Sequence, residues 1–317
     1  MAGPRLVGDI GATNARFAVL DAAGRPTRAR AFACDDHPTI EGAIRAYLAA
    51  EQLPHPEGAA LAVASPVTGD TDTLTNHPWS FSISGLAHAL ATERLVVVND
   101  FTANALGVPR LAPEERLAIG GGSPVAEAPI AVLGPGSGLG MSGLVHAAGD
   151  WQALASEGGH ATLPASDERE SAVVAHMRRR FGHVSAERVL SGPGLVNLYQ
   201  TLAEIEGKAA ESYTPAQIAD PQIQASEPLC RAAMAMFCAM LGTVAGDLAL
   251  TLGARGGVYI AGGIVPRLGA GLAATGFRHR FEAKGRFSAY LAAIPTYVVL
   301  HPVPAFLGLA ALLARAG

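Results

Sequence analysis

Charge is scarce in this sequence of 317 residues. Asp, Glu, Lys and Arg together make up 16%, against roughly 25% in a typical soluble protein. No block of basic residues is longer than Arg178-Arg179-Arg180, and the formal charge is 23 − 27 = −4. Nucleic acid is therefore excluded as a partner, because neutralising phosphates needs a concentrated positive face. Cysteine is equally sparse. Cys34, Cys230 and Cys238 form no C-x-x-C pair and no even framework, which excludes a disulfide scaffold and a structural zinc and points to a reducing compartment. Long apolar runs are missing too. The stretch 232–246 is uncharged for 15 residues before Asp247, short of the ~20 that span a bilayer. The C-terminal apolar region is cut by Pro295, Pro302 and Pro304. The N-terminus has no apolar segment before Asp9, so no signal peptide is expected. These absences leave a cytoplasmic globular protein with no membrane segment. What it has in quantity is apolar residues, at 50%, and 37 glycines.

Strand-like and helix-like patterns alternate along the chain, which predicts an α/β fold. The first hundred residues read β-β-β-α-β-α-β. Strands are predicted at 5–10, 16–21, 28–34, 60–64 and 95–99. One helix is capped by Thr39, with Ile40, Ala43, Ile44, Tyr47 and Leu48 on one face, and another starts at Ser82 or Ser84. A further helix starts near Asp100. A second round opens with a strand at 130–133, a glycine-rich turn, and a returning strand at 139–147. Residues 167–252 are mostly helical; strands follow at 257–261 and 297–300, and a last helix at 305–316. A linker is expected at 109–113. Both rounds thus open with a strand pair around a glycine turn.

Several short segments have chemical potential. In Gly8-Asp9-Ile10-Gly11-Ala12-Thr13 a strand enters a tight turn whose N–H groups, with the Thr13 hydroxyl, could hold phosphate oxygens. Gly11 would permit an unusual backbone or a close approach, and Asp9 could face a phosphate-bound Mg²⁺ directly or through water. An ordinary hairpin turn explains the same residues. Gly136-Ser137-Gly138-Leu139-Gly140 is a second loop of this kind. It is not a dinucleotide fingerprint, because the residues after it read as strand rather than helix. A Walker motif and a Gly-x-Ser-x-Gly elbow are both missing. Asn99-Asp100 ends the strongest strand, where active-site groups of open α/β sheets collect. Asp100 could accept a proton from a substrate hydroxyl, or it could cap the next helix.

Glu157-Gly158-Gly159-His160 is too glycine-rich for a helical metal pair; as a loop it offers hydrogen-bonding groups suited to sugar hydroxyls, or is a plain polar turn. In the stretch 183–194, Ser185 could cap a helix with Glu187 near its positive end, and Gly192-Pro193-Gly194 reads as a turn between helices. Gly262-Gly263 follows a strand and leaves room for a flat ring, or for close strand–helix packing.

Taken together, LVGDIGATNARF, NDF at 99–101, GPGSGLG, EGGH at 157–160, HVSAERVLSGPGLVNLY and GGVYIAGGIVPR resemble the bacterial glucokinase family, within the hexokinase–Hsp70–actin superfamily. The resemblance runs in order from residue 6 to about 308. It implies two ribonuclease H-like α/β domains around a central cleft. The small one would hold 1–110, completed by a C-terminal helix at 301–317; the large one would hold 111–300. It implies ATP-dependent phosphorylation of D-glucose at the 6-hydroxyl, the first step of glycolysis, with Mg²⁺, in a cytoplasmic homodimer. Asp100 would be the catalytic base. Asn99, Asp100, Glu157, His160, Glu187 and Gly138 would bind the sugar. Gly8, Asp9, Ile10, Gly11, Ala12, Thr13, Gly136, Ser137, Gly138, Gly262 and Gly263 would bind the nucleotide. No protein metal site is expected beyond Asp9 through water. Ala12 and Ser137 stand where many members have Gly and Thr. The Cys/His cluster of the zinc-bearing repressor-type sugar kinases is missing. Kinases for another hexose stay open as an alternative. A chaperone-like ATPase would lack the sugar ligands and need a client domain, and a DNA-binding regulator would need a basic helix-turn-helix.

Overall fold

The first hairpin shows how the sequence builds its layers. Along β1 (Arg5–Ile10) the side chains alternate between two faces, so Leu6 and Ile10 enter one buried cluster and Val7 another. The computed structural model describes residues 3–75 and 77–315; the predicted last helix residue, Ala316, lies outside them. After β1 come β2 (Asn14–Leu20), β3 (Pro26–Ala33), α1 (Ile40–Ala50), β4 (Gly58–Val63), β5 (Thr71–Thr73), β6 (Ser80–Ser82), α2 (Ile83–Ala89), β7 (Arg94–Asn99) and α3 (Asp100–Gly107). Then follow β8 (Arg116–Ile119), β9 (Ile130–Pro135), β10 (Leu139–Ala147), β11 (Asp150–Ser156), α4 (Glu168–Phe181), α5 (Gly192–Ile205), α6 (Pro215–Ile218), α7 (Pro221–Ser226), α8 (Pro228–Leu252), β12 (Gly257–Ile260), α9 (Val265–Leu268), α10 (Phe277–Glu282), α11 (Ser288–Ala292), β13 (Thr296–Val299) and α12 (Pro304–Ala314). The order of the first seven predicted elements is observed, and Thr39 and Ser82 cap α1 and α2 by accepting from Gly42 N–H and Gly85 N–H. The pairs β5–β6 and the strands β8 and β11 were not predicted. They are short or polar, and their pattern does not separate them from loops.

A five-stranded sheet runs β3-β2-β1-β4-β7, and a six-stranded sheet runs β11-β10-β9-β12-β13-β8. In both, an antiparallel hairpin (β1–β2, β9–β10) stands beside parallel strands (β1–β4–β7, β9–β12–β13). The chain divides into two units: residues 1–113 with 151–155 and 301–317, and residues 114–150 with 156–300.

In the first unit α1 and α2 cover one face of the sheet, with Ile44, Tyr47 and Leu86 against Leu6, Phe17 and Leu61. On the other face α3 and α12 lie over Val7, Ala18, Ala60 and Ala62. Those alanines let the helices come close. A Cβ on Gly308 would be 1.9 Å from the Ala103 carbonyl oxygen, and one on Gly107 would be 2.2 Å from that of Pro304.

In the second unit the core gathers Leu133, Val173, Leu198, Phe237, Leu241, Ile260 and Phe277. Its central helix, α8, is 25 residues long and the one helix among those described that is long and apolar enough to cross a bilayer; 72% of its most apolar window is buried inside the protein. The uncharged 15-residue stretch seen in the sequence is therefore the middle of a longer core helix. Asp247 lies within the same helix, on its more exposed side, and pairs with Lys284 at 2.5 Å.

Candidate active site

In the first unit, the turn between β1 and β2 is closed by Gly11 N–H donating to Asn14 O at 3.0 Å. Cys34 braces it from below, with its N–H on Thr13 O at 2.9 Å and its thiol on Gly11 O at 3.4 Å. Gly11 does not need its freedom for the fold. Its φ is not in the left-handed region, and an added Cβ would sit at an ordinary 3.5 Å from Asn14 O. A side chain there would therefore be tolerated, and the half-buried backbone of the turn is not crowded. Gly8 differs: a Cβ there would strike Leu61 and Phe17 within 3.0 Å, so this glycine serves sheet packing.

Asp9 is half-buried and meets Arg16 at 3.5 Å. Loss of water raises its pKa above the usual carboxylate value, and the Arg16 guanidinium only partly offsets this. A carboxyl raised in the folded state destabilises the fold as pH climbs past its unfolded pKa. Asp9→Asn should therefore raise the melting temperature at neutral pH, with the gain fading in acid. A melting temperature unchanged or lowered at pH 7, measured by scanning calorimetry, would contradict the burial cost.

Asn99 and Asp100 lie where β7 passes into α3. The sequence left open whether Asp100 caps this helix; the structure gives that task to Asn99. Its Oδ1 accepts from the N–H groups of Phe101 at 2.9 Å and Thr102 at 3.3 Å. Asp100 is the first helical residue, one Oδ1 accepting from Phe101 N–H at 2.8 Å. The helix positions its carboxylate without needing it as the cap.

In the second unit, four separate sequence segments converge. The loop after β9 is held by Gly136 N–H on Gly138 O and by Gly192 N–H on Gly136 O, both at 2.8 Å. Glu187 Oε2 accepts from Leu139 N–H at 2.8 Å. A Cβ on Gly138 would lie 2.5 Å from that oxygen, so glycine is needed there for the carboxylate to reach the loop. Glu187 Oε1 stands 3.9 Å from His160 Nδ1, while His160 Nε2 stands 4.0 Å from Glu157 Oε2. The short turn Gly158–His160 presses on the loop so closely that a Cβ on Gly159 would fall 1.9 Å from Leu139 O. Gly262 has φ +83° and packs on Pro135 O, where a Cβ would reach 2.5 Å; Gly263 faces open space. Gly262 is thus a packing glycine, against the end of a neighbouring strand rather than a helix, and Gly263 is uncrowded.

Two sequence expectations fail here. Residues Ala186–Arg188 form a single 3₁₀ turn, and Ser185 makes no side-chain cap. Glu187 is held by the loop amide, not by a helix N-terminus. Gly192-Pro193-Gly194 is the first turn of α5, capped by Ser191 accepting from Gly194 N–H at 3.0 Å. Proline at a helix start mimics a turn in the sequence. Ser191 was missed by the sequence reading: its hydroxyl donates to Glu187 O at 2.8 Å and fixes the backbone of that residue. The signal available was a serine three residues before a glycine at a helix start.

Comparison with known proteins places the chain in one family. The glucokinase family model covers residues 6–316. A glucokinase of Aromatoleum aromaticum is 53% identical over 315 residues, 99% of this chain and 95% of that protein. A glucokinase of Paramagnetospirillum magneticum is 53% identical over 309 residues, covering 97% and 96%. Among solved structures, a glucokinase from an Antarctic psychrotroph is 37% identical, covers all of both chains and superposes with a TM-score of 0.87.

Proposed function

We propose a division of roles from one premise: the chain belongs to the glucokinase family. It is an ATP-dependent kinase of D-glucose, forming glucose 6-phosphate, on an actin/hexokinase-type α/β fold. In our reading Asp100 is the base that orients the 6-hydroxyl and takes its proton. Asn99, Glu157, His160 and Glu187, with the Gly138 backbone, bind the other sugar hydroxyls. The end of β1 and its turn, from Asp9 through Ile10, Gly11 and Ala12 to Thr13, and the loop Gly136-Ser137-Gly138, hold the phosphates, while Gly8 supports that turn from within the sheet. Gly262 and Gly263 border the adenosine.

The observation that carries this reading is the Glu187 carboxylate, with one oxygen on a loop amide and the other facing His160. A sugar hydroxyl leaving water needs a replacement partner, and charged acceptors supply the strongest ones. Phosphoryl transfer passes through a loose transition state, so positioning and charge neutralisation matter more than a strong base. A carboxylate at the 6-hydroxyl meets that demand. Glycines whose own fold does not need them, Gly11 and Gly263, leave uncrowded backbone for a ligand.

Among the described residues no group of three or more His, Cys, Asp or Glu could hold a metal ion. The single Asp9 carboxylate fits magnesium arriving on the triphosphate, because this ion keeps most of its waters and needs only one or two carboxylates. Asp9 would face it directly or through water. When bound, the ion neutralises charge on the phosphates. The buried, unpaired cysteines suit a cytoplasmic enzyme, and the family resemblance supports a homodimer, which light scattering on the purified protein tests.

A coupled assay with a panel of hexoses and phosphoryl donors tests the function; no turnover with glucose and ATP would end it. Glu157→Gln and His160→Ala should raise the glucose KM about tenfold, the worth of one charge-assisted hydrogen bond, and leave the ATP KM within about twofold. Movement of the ATP KM alone would reassign this loop.

A further inference from the structure

Asp72, in the short strand β5, is only 7% exposed. Its Oδ2 accepts from the Ser65 hydroxyl at 2.6 Å and its Oδ1 from Thr73 N–H at 2.9 Å. No cation forms an ion pair with it among the described residues. A carboxyl kept this dry without a counter-charge costs free energy, offset here by its two hydrogen bonds. Ser65, 3% exposed, follows the end of β4. Its carbonyl oxygen accepts from Asn99 Nδ2 at 3.3 Å.

We infer that Asp72 and Ser65 are positioning residues that fix which way the Asn99 amide faces, and so set Asn99 to offer the substrate a hydrogen-bond donor. The chain of contacts leads there step by step. The Asp72 carboxyl anchors the Ser65 hydroxyl. The anchored Ser65 presents its carbonyl to one hydrogen of Asn99 Nδ2. That contact holds Asn99 Oδ1 on the N–H groups of Phe101 and Thr102, at the start of the helix that bears Asp100. Both acceptor positions of the Asn99 oxygen are then used. The second Nδ2 hydrogen is what the amide has left, and it can only donate. A sugar hydroxyl oxygen that accepts there is read by Asn99; an epimer or deoxy sugar without that oxygen leaves the amide hydrogen unpaired.

This inference rests on the reading of Asn99 as a sugar ligand, and the test separates the two. Ser65→Ala and Asp72→Asn are compared with wild type for glucose KM, ATP KM and kcat, and each is combined with Asn99→Ala. We expect each single variant to raise the glucose KM about five- to tenfold, the equivalent of one misaligned hydrogen bond. The ATP KM should stay within twofold. In the Asn99→Ala background neither change should have a further effect on the glucose KM, because the amide they orient is gone. A purely structural role would move both KM values together and add its effect to that of Asn99→Ala. Additive effects, or a glucose KM unchanged in both Ser65→Ala and Asp72→Asn, overturn the relay while leaving the sugar site intact. An Asn99→Ala enzyme with an unchanged glucose KM overturns the sugar-ligand reading and the relay with it. If Ser65→Ala does not fold, Asp72→Asn carries the test, since the amide keeps the shape of the carboxyl and an oxygen for Thr73 N–H but puts an N–H donor where the Ser65 hydroxyl needs an acceptor.

Discussion

Asp100→Asn should fold, bind glucose, and lose about a hundred- to ten-thousandfold in kcat, the range expected when a positioned general base is removed. The substitution keeps the shape of the side chain and an oxygen for the Phe101 N–H contact. Because Asn99 carries the helix cap, loss of the charge at position 100 leaves the start of α3 in place. A lost base should therefore appear in turnover and not in stability. Steady-state kinetics with glucose titration calorimetry would show it. A kcat within tenfold of wild type would remove Asp100 from the chemistry.

Gly308→Ala should be among the most damaging small substitutions for stability. In an isolated helix the change would help, since alanine is favoured over glycine by about 1 kcal/mol. Here the sign reverses. The new methyl would fall 1.9 Å from the Ala103 carbonyl oxygen and 2.9 Å from Gly107 N. Both are backbone atoms, so no side chain can rotate away and α12 must lift from α3. Overpacking of this kind costs typically 1–3 kcal/mol, sometimes more, and we expect a loss of about 3 kcal/mol. For a chain of this size that lowers Tm by about 4–5 °C. Since α3 begins at Asp100, kcat should fall as well, well below the melting temperature. Gly263→Ala is the control: nothing lies within 4 Å of its added methyl, so its Tm should hardly move. A Gly308→Ala protein melting within 2 °C of wild type would disprove the backbone contact between the helices.

Much of the fold was legible from residue patterns. The β-β-β-α-β-α-β order of the first hundred residues follows from alternating apolar strands and from Thr39 and Ser82 at helix starts. The two strand–turn–strand openings were legible because glycine clusters interrupt strands and the residues after them do not have helical spacing. Where the sequence misled, a local pattern carried two meanings. Gly192-Pro193-Gly194 has turn composition, yet it starts a helix, and Ser185-Ala186-Glu187 has cap composition without a helix to cap. Asn99 and Asp100 are both good N-caps, and only the position of the last strand residue decides between them.

The glycines divide the same way. The sequence shows 37 of them and cannot tell which are steric. The structure assigns Gly138 to the Glu187 carboxylate, Gly262 to the Pro135 carbonyl, and Gly308 to a neighbouring helix, gives Gly11 only an ordinary contact, and leaves Gly263 open. Ser65 and Asp72 were invisible because their partners lie in contacts that no periodicity records.

By itself, then, the order of amino acids determined the α/β class, the alternation of elements and the type of each chemical group, because propensity and hydrophobic period act over a few residues. Only the tertiary structure decided which groups meet: Glu187 with Leu139 across 48 positions, Asn99 with Ser65 across 34. A hydrogen bond depends on distance and direction in space, and those are fixed by packing among distant segments.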